Sequence, residues 1–540
     1  MRSNQSKVIP VVDLFAGPGG LGEGFSAFTE TQGHHCFRIA LSIEMESAAH
    51  STLELRSFFR AFPAQHVPDE YYFHLQSRLS RDELFTRFPC EAAVARETAW
   101  KAELGAAGIE EVDRRIRKAV GDSEDWVLCG GPPCQAYSVI GRSRNQGIDA
   151  KDGNVYLYKE YLRILSEHQP PVFIMENVQG LLSSKVGKDE IFKQMLCNLR
   201  QPAAALKTKR NGSTRYLLYS LVQKPSGYDL VGNPCFVPGE FVIACEDYGI
   251  PQSRHRVILL GIRDDLADRP VPVLEPALRR IPASQVLDGL PRLRSGLTRT
   301  IDGKSEWREA LSKILEPGIL DDIPNGKATL LRKEITCTLE NLRTMRADRG
   351  GEFVPCDTKT AYESEWYCDT RIGGVCNHAS RPHMAEDLHR YLFVACYAKL
   401  TGRSPQLRDF PPLLLPKHKN VKDKNKKDYF DDRFRVQLAD RPSTTVTCHL
   451  AKDGHYFIHY DITQVRSMTV REAARLQTFP DNYVFCGTRT QQYTQVGNAV
   501  PPLLARQVAG LVARILKGAG VRFAEPSIPS VQPRPVVHHV

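Results

Sequence analysis

No stretch of this sequence approaches the roughly 18 consecutive apolar residues that a membrane-spanning helix requires, and the N-terminal residues MRSNQSKVIP lack the apolar core of a signal peptide. Its 14 cysteines are scattered, without the repeating framework of a disulfide-stapled secreted domain. These absences argue against the membrane and secreted classes. We therefore expect a soluble cytoplasmic protein in a reducing compartment, where a thiolate nucleophile can persist.

The sequence also lacks a typical zinc-binding motif and has fewer acidic than basic residues, and both features limit the ligands that we expect. Cys356, Cys368, Cys376 and His378 lack the paired C-x-x-C spacing of a zinc site, so we expect no bound metal. Acidic residues are outnumbered, since 62 aspartates and glutamates face 72 lysines and arginines, and the net charge is +10. With a pI near 8.9, this balance favours a polyanionic partner.

The sequence does contain apolar strand-like runs that alternate with helical stretches such as YLYKEYLRILSEHQ. This alternation predicts a doubly wound, mainly parallel α/β sheet. The pattern breaks down between residues 292 and 436, where Gly-Gly, Pro-Pro and a lysine-rich stretch occur. The strand-like runs lie at 9–15, 37–44, 126–129, 172–177, 241–245 and 256–262.

The most informative motif is GGPPCQAYS at residues 130–138, directly after the apolar run WVLC. If that run is a buried parallel strand, Cys134 emerges at its carboxyl end, where open α/β sheets bind ligands. The two prolines stiffen the turn, because each fixes its own φ angle and restricts the residue before it. This context favours Cys134 as a nucleophile over an ordinary buried cysteine.

A glycine-rich loop near the start predicts a nucleotide pocket. The strand-like run IPVVDLF is followed by glycines 17, 19, 20 and 22 and a helical-looking segment, and the next strand-like run ends at Glu44. Glycines permit close backbone approach, and a carboxylate at the second strand's end can accept hydrogen bonds from ribose hydroxyls. Alone, this pattern fits a nicotinamide or flavin enzyme as well as one that uses S-adenosylmethionine.

Two later strand-like runs have polar residues next to them. One run is followed by a glutamate, and the other is preceded by a motif that contains two arginines. The run VFIM leads into Glu176, so a carboxyl group is placed at the end of a buried strand, where an unpaired charge is costly. A carboxyl group that keeps its proton in such a place can donate a hydrogen bond to a ring nitrogen. The motif QSRHR at 252–256 precedes the run VILLGI, and RPSTTVT and QVGNAVPP lie near the end of the chain.

In this order, the motifs DLFAGPGGLGEGF, GGPPCQAYS, ENV, QSRHR, RPSTTVT and QVGNAVPP resemble those of the DNA cytosine-5 methyltransferases. The resemblance spans residues 9 to about 291 and 437 to about 515. It implies an α/β, Rossmann-like S-adenosylmethionine methyltransferase sheet with an inserted smaller target-recognition domain. The implied boundaries are 1–291 for the first part of the catalytic and cofactor-binding domain, 292–436 for the target-recognition domain, 437–520 for the return to the catalytic domain with a closing helix, and 521–540 for a disordered tail.

The resemblance also assigns roles, with S-adenosyl-L-methionine as the cofactor. It implies that Cys134 adds to carbon 6 of cytosine while Glu176 donates to ring nitrogen 3, and that Arg254 and Arg256 complete the catalytic group. Cofactor contacts are implied for Asp13, Phe15, Ala16, Gly17, Gly19, Gly20, Leu21, Glu44, Pro132, Asn498 and Ala499. DNA contacts are expected from Gln135, Ser138, Arg142, Arg144, Lys424, Lys426 and Lys427.

The expected reaction is methylation of carbon 5 in a cytosine that is flipped out of double-stranded DNA. We expect a monomer, located near the nucleoid if the protein is prokaryotic. Whether a cognate restriction endonuclease acts on the same DNA site is left open. The residue that contacts the cofactor's adenine is Asp113 or Asp122. Two rival functions remain at this stage, an RNA cytosine-5 methyltransferase of the same fold and a catalytically silent DNA-binding regulator.

Overall fold

A computed structural model describes residues 8–29, 34–132, 157–186, 189–207, 214–266, 271–323, 326–342, 348–417 and 431–517. Half of the strands in these residues belong to one sheet, and the other half form two-stranded pairs. The strands are β1 (Ile9–Leu14), β2 (Phe37–Glu44), β3 (Ala99–Lys101), β4 (Val127–Gly130), β5 (Val172–Val178), β6 (Lys185–Val186), β7 (Asp189–Glu190), β8 (Tyr216–Ser220), β9 (Val242–Ala244), β10 (Gln252–Ser253), β11 (His255–Arg263), β12 (Gly296–Leu297), β13 (Gly350–Pro355), β14 (Gly374–Ala379), β15 (Pro382–His383) and β16 (Ser443–Thr444).

The central sheet has the strand order β3-β2-β1-β4-β5-β11-β8, with β9 paired to β11. Strands β1 to β5 pair in parallel, whereas β11 is antiparallel to β5, β8 and β9. This arrangement confirms the predicted doubly wound α/β fold. The chain moves outward from β1 to β2 and β3 and then returns to β4, so a ligand crevice is expected at the carboxyl ends of β1 and β4.

Both faces of this sheet are covered, which explains the apolar runs in the sequence. Every residue of β1 and β4 is buried, as parallel strands packed on both sides require. Two hydrophobic cores, one on each face, take alternate residues of the strands, such as Val11 and Val12 of β1. The sequence did not predict β3 and β8, and β3 has only three residues, too few to show a periodic pattern.

Helices cover the sheet and build the outer lobes. They are α1 (Gly20–Ala27), α2 (Ser47–Arg60), α3 (Asp69–Leu75), α4 (Arg81–Arg87), α5 (Pro89–Thr98), α6 (Ile109–Val120), α7 (Leu157–His168), α8 (Ile191–Arg200), α9 (Pro202–Ala205), α10 (Ser284–Leu287), α11 (Lys304–Ser312), α12 (Ala328–Leu342), α13 (Ser364–Tyr367), α14 (Ala385–Thr401), α15 (Val470–Leu476), α16 (Arg489–Asn498) and α17 (Pro502–Lys517). The last of these packs tightly on the first, since a Cβ at Gly24 would lie 2.4 Å from both the Ala505 Cβ and the Pro502 carbonyl oxygen. The chain's late helix therefore closes the domain that its first strand begins.

The stretch Arg489–Leu516 is long and apolar enough by composition to cross a membrane. Within the folded chain, 83% of its apolar window is buried, and residues 499–501 separate it into α16 and α17. The apolar residues of this stretch therefore have a place in the protein core.

Two further cores lie outside the sheet. One joins α11, α12 and α14 within the predicted target-recognition segment, and it reaches past residue 436 to include Ile458 and Val465. The other joins helices α2 to α5 with Ile372 and Cys376 of the β13–β14 region. The sequence leaves the role of residues 51–120 open, and the α2–α5 part of that segment connects the cofactor side of the sheet to the predicted recognition segment.

Candidate active site

The loop after β1 folds back over the ends of the first two strands. Phe15, Gly17 and Gly19 have φ angles of 54°, 56° and 89°, in the region that favours glycine. The Ala16 N–H donates to the Ile43 carbonyl at 3.0 Å, which ties the loop to β2. A phenylalanine held at positive φ is strained, and such strain is characteristic of functional sites.

Glu44, at the carboxyl end of β2, is oriented by this loop. Its Oε2 accepts the Gly17 N–H and its Oε1 accepts the Glu46 N–H, both at 2.8 Å. Burial raises the pKa of this carboxyl group. Each oxygen has a further lone pair, so the carboxylate can also accept hydrogen bonds from the two hydroxyls of a ribose.

Asp13 lies beneath the same loop, in β1, with Ser42 and Cys129 as its neighbours on the adjacent strands. It is 1% exposed, and neither carboxyl oxygen has a hydrogen-bond partner at normal geometry, the Gly22 backbone N–H being the nearest donor. Burial raises its pKa to about 7, although the Arg60 charge and the Gly22 backbone N–H oppose that rise. An orphaned buried carboxyl below a glycine-lined cradle fits a ligand that carries positive charge, such as S-adenosylmethionine.

The C-terminal motif meets the glycine loop directly. A Cβ at Gly20 would lie 2.1 Å from the Val500 carbonyl oxygen, so only glycine fits this contact. Ala499 is buried, and its carbonyl accepts the Gln477 side-chain amide at 2.7 Å, whereas Asn498 is exposed at the end of α16. Two motifs about 480 positions apart in the sequence thus line one crevice.

We expect Gly20→Ala to separate the glycine loop from the C-terminal motif. Overpacking of this kind costs about 1–3 kcal/mol, which should appear as weaker S-adenosylmethionine binding in calorimetry or as a lower free energy of unfolding. Gly108→Ala is the matched control, because a Cβ there meets no atom within 4 Å. If the two variants behaved alike, the Gly20–Val500 contact would have no role.

The predicted catalytic acid and an arginine meet at the end of β5. The Arg256 Nε lies 3.0 Å from the Glu176 Oε1, and both side chains are mostly buried. The pairing follows from the register, because antiparallel β11 places Arg256 opposite Val178, two residues beyond Glu176. Arg256 also borders a cavity of about 380 Å³, whose other lining residues are Val178, Gln179, Gly180, Ser253, His255 and Thr445.

The chain leaves strand β4 beside this ion pair. A Cβ at Gly131 would lie 2.9 Å from the Glu176 Oε2, so glycine allows the chain to pass directly over the carboxylate. The Asn177 side-chain amide donates to the Pro132 carbonyl at 3.5 Å and links the two strand ends. Cys134 lies just outside the described residues, as do the predicted DNA-contacting residues Gln135, Ser138, Arg142, Arg144, Lys424, Lys426 and Lys427 and the tail at 521–540.

Arg254 has a different environment from Arg256, although the sequence placed both in the catalytic group. It is 1% exposed, and its Nη1 donates to the carbonyl oxygens of Val446 at 2.9 Å and Gly497 at 3.3 Å. Burial lowers its pKa to about 9, with the Arg256 charge adding to the effect. These contacts join Arg254 to both C-terminal motifs, and its side chain is not part of the lining of the cavity that Arg256 borders.

Neither candidate for the adenine contact lies at the cofactor edge of the sheet. Asp113 accepts hydrogen bonds from Arg163 at 2.9 Å and His168 at 2.8 Å, between α6 and α7. Asp122 precedes β4 and therefore lies at the opposite, amino end of that strand. Glu103 does lie at the cofactor edge, because it follows β3, whose Lys101 pairs with Glu44.

Met45 is a second residue that the sequence analysis missed. It directly follows Glu44 and is 58% exposed, unusual for so apolar a side chain. Its position next to a ribose-directed carboxylate is suited to covering the flat face of a base. Met45 is indicated by its exposed position after a strand end, and Glu103 by the short strand that precedes it. Both features can be recognised only in the folded structure.

Three of the four residues considered for zinc have side-chain partners of their own, and the first of these is Cys356, whose thiol donates to the Val354 carbonyl. The Cys376 thiol donates to the Leu75 carbonyl, and the two His378 ring nitrogens contact Thr469 and Pro291. Among the described residues, no group of three or more histidines, cysteines or acids is arranged to hold a metal.

Comparisons with known proteins agree with this geometry. Residues 100–202 and 240–514 match the model of the C-5 cytosine-specific DNA methylase family. The chain is 32% identical to the type II methyltransferase M.Bpa9945I of Bacillus paralicheniformis over 526 residues, 94% of this chain and 99% of that protein. It is 25% identical to the DNA (cytosine-5-)-methyltransferase M.ApeKI of Aeropyrum pernix, over 72% of this chain and 81% of the other. The fold is similar to that of a prophage-encoded Escherichia coli chain described as a DNA modification methyltransferase, with a TM-score of 0.50 at 17% identity and with 94% and 99% of the two chains covered.

Proposed function

The chain belongs to the C-5 cytosine-specific DNA methylase family and is a DNA (cytosine-5-)-methyltransferase, and from this premise we propose how it acts and on what. It transfers a methyl group from S-adenosylmethionine to carbon 5 of a flipped cytosine within a specific sequence of double-stranded DNA. The observation that carries this proposal is the Glu176–Arg256 ion pair, which lies directly beside Gly131 on the strand that leads to Cys134.

The chemistry follows from the kinds of side chain at this strand end. Carbon 5 of cytosine is a poor nucleophile, so the Cys134 thiolate first forms a bond to carbon 6 while Glu176 delivers a proton to nitrogen 3. Arg256 orients Glu176 and supports the base's carbonyl oxygen. The addition at carbon 6, assisted by these two residues, makes carbon 5 electron-rich. Once carbon 5 has taken the methyl group, its proton is lost to solvent water, nitrogen 3 returns its proton to Glu176, and Cys134 departs as a thiolate, which restores the aromatic ring. The cofactor, when bound, supplies an electrophilic methyl group.

The cofactor crevice has a suitable group for each part of S-adenosylmethionine. Glu44 would accept hydrogen bonds from the ribose hydroxyls, and Phe15 and Met45 would flank the adenine. Glu103 would accept a hydrogen bond from the exocyclic amine of the adenine. The glycine loop and the backbone around Ala499 would lie close to the methionine part of the cofactor. Asp13, buried beneath the loop without a partner, would offset positive charge there.

DNA is proposed to bind across the strand ends, where the base can enter the cavity beside Arg256. The basic residues after Cys134 would close behind the flipped base, and the lysines near 424 would contact phosphates without reading sequence. The relatives named as type II methyltransferases support a role in modification alongside a restriction endonuclease. We propose a cytoplasmic monomer for this role.

Transfer of tritiated methyl groups to duplex DNA and to tRNA tests the proposal against its rivals. We expect label in duplex DNA alone, and bisulfite sequencing of DNA from expressing cells should then place 5-methylcytosine at one recurring sequence. Label in tRNA would indicate an RNA methyltransferase. If neither nucleic acid were labelled but duplex DNA were bound, the protein would be a silent DNA-binding regulator.

A further inference from the structure

Three arginines converge on Ser380, in the short segment between β14 and β15, and we call Arg349, Arg381, Arg489 and Ser380 the Ser380 cluster. The Ser380 carbonyl oxygen accepts the Arg489 Nη1 at 3.3 Å and the Arg349 Nη2 at 3.4 Å. Arg381 follows Ser380 directly, and its guanidinium lies 4.9 Å from the Tyr493 ring centroid. None of these residues takes part in the reaction proposed above.

The hydrogen-bonding capacity of this cluster is largely unused. Arg381 is 8% exposed, and its Nε and Nη1 make no hydrogen bond, while its Nη2 donates to the Leu450 carbonyl at 2.8 Å. The Ser380 hydroxyl and the Arg349 Nε are also buried without a partner. Buried donors are costly when unsatisfied, and arginine cannot shed its charge to avoid the cost.

Negative charge around the cluster is insufficient to balance it. Asp302 pairs with Arg349 at 2.9 Å but is shared with a fourth arginine, Arg294, at 2.7 Å. Glu352 accepts the side-chain amides of Asn377 and Gln492. Arg381 and Arg489 have no carboxylate partner among the described residues. Burial lowers the pKa of Arg489, the charges of Arg381 and Arg349 lower it further, and the nearby Glu352 and Tyr493 only partly offset this.

The cluster lies at the same edge of the sheet as the proposed reaction. The Gln491 side chain donates to Glu46 at 3.2 Å, which places the first turn of α16, and Arg489 with it, near the carboxyl end of β2. Leu450, which Arg381 contacts, is five residues after Thr445 of the catalytic cavity. Five residues span at most about 18 Å, so a duplex whose base enters that cavity can reach the cluster.

We propose that the Ser380 cluster binds a backbone phosphate of the substrate DNA. Guanidinium groups match phosphate oxygens in geometry, and the half-buried guanidinium groups of Arg489 and Arg349 can contact the anion while buried Arg381 supplies charge behind it. The phosphate offsets positive charge that the fold leaves unbalanced. This inference rests on the proposed function, because it takes DNA as the ligand, and it adds a contact that the loop after Cys134 and the lysines near 424 do not provide.

The test measures the affinity of Arg489→Gln for a fluorescent duplex at several salt concentrations, with Arg349→Gln as a second variant. Loss of one phosphate contact should reduce the slope of log affinity against log salt by about 1, and weaken binding by roughly fivefold to tenfold at 0.1 M salt. Arg489→Lys should keep most of the slope because it keeps the charge. Arg114→Gln, which removes an exposed arginine on α6, is the matched control and should match the wild type.

Thermal stability and S-adenosylmethionine affinity are measured for each variant, and both should stay at wild-type values. If the wild type binds and methylates DNA and both glutamine variants keep its salt slope, the inference is overturned and the proposed function remains. A reduced slope that Arg489→Lys fails to restore would also overturn it, since charge would not be the cause. A wild type that neither binds nor methylates duplex DNA would instead overturn the proposed function.

Discussion

Cys134→Ser should reduce methyl transfer to the level of a reaction without enzyme. A serine hydroxyl is far less ionised than a thiol at neutral pH, so the bond to carbon 6 cannot form at a useful rate. Tritium transfer to duplex DNA measures the loss. DNA that contains 5-fluorocytosine should trap the wild type as a covalent complex, because carbon 5 then has no proton to lose, and the serine variant should form no such complex.

Cys129→Ala is the matched control, because Cys129 is five residues earlier and fully buried in β4. Burial raises the pKa of its thiol well above the usual value, with the nearby Asp13 carboxyl adding to the rise, so it cannot supply a thiolate. The alanine variant should keep transferring methyl groups at any temperature where it remains folded. Transfer by Cys134→Ser, at undiminished S-adenosylmethionine affinity, would rule out the covalent mechanism.

Glu176→Gln should slow methyl transfer by about two orders of magnitude or more, the scale expected for a lost general acid. Glutamine keeps the size of the side chain and can still accept a hydrogen bond from Arg256, but it has no proton to deliver to nitrogen 3. Single-turnover rates across a pH series, with saturating cofactor and DNA, separate the chemical step from binding. An unchanged rate and pH profile would show that Glu176 only holds Arg256 in place.

Glu246→Gln is the control for this change. Glu246 is another buried glutamate near β11, where its Oε1 contacts the His255 ring at 2.9 Å. The same substitution there removes a buried carboxylate that contacts His255 at the edge of the cavity but is paired with neither Glu176 nor Arg256. A comparable loss of rate in both variants would point to general destabilisation, whereas a loss confined to Glu176 supports a role in the reaction.

The arginines of QSRHR illustrate where sequence reasoning reaches its limit. The two arginines are two residues apart and have the same chemistry, and the sequence treats them alike. Arg256 pairs with Glu176 because the antiparallel register of β11 brings those positions together. Arg254 is enclosed by Val446 and Gly497, which are about 190 and 240 residues away in the chain, and no local pattern could predict that contact.

The adenine contact shows the same limit. Asp113 and Asp122 were reasonable candidates because the sequence contains no visible strand between residues 51 and 120. Strand β3 has three residues and gains its stability from pairing with β2 rather than from its own periodicity. Once β3 is placed, Glu103, the residue that we propose for the adenine contact, lies at the carboxyl edge that β3 shares with Glu44. The choice depends on which strand ends lie together, and that is a property of the sheet.

The sequence by itself determined the fold class and the family, and it predicted the reactive groups, because apolar periodicity and short motifs are local and each constrains its own segment. The tertiary structure alone decided which distant groups meet. It joined Gly20 to Val500, placed Glu176 against Arg256, and gathered three arginines around Ser380. Such pairings depend on strand register, close packing and the balance of buried charge, which arise only when the segments are folded against one another.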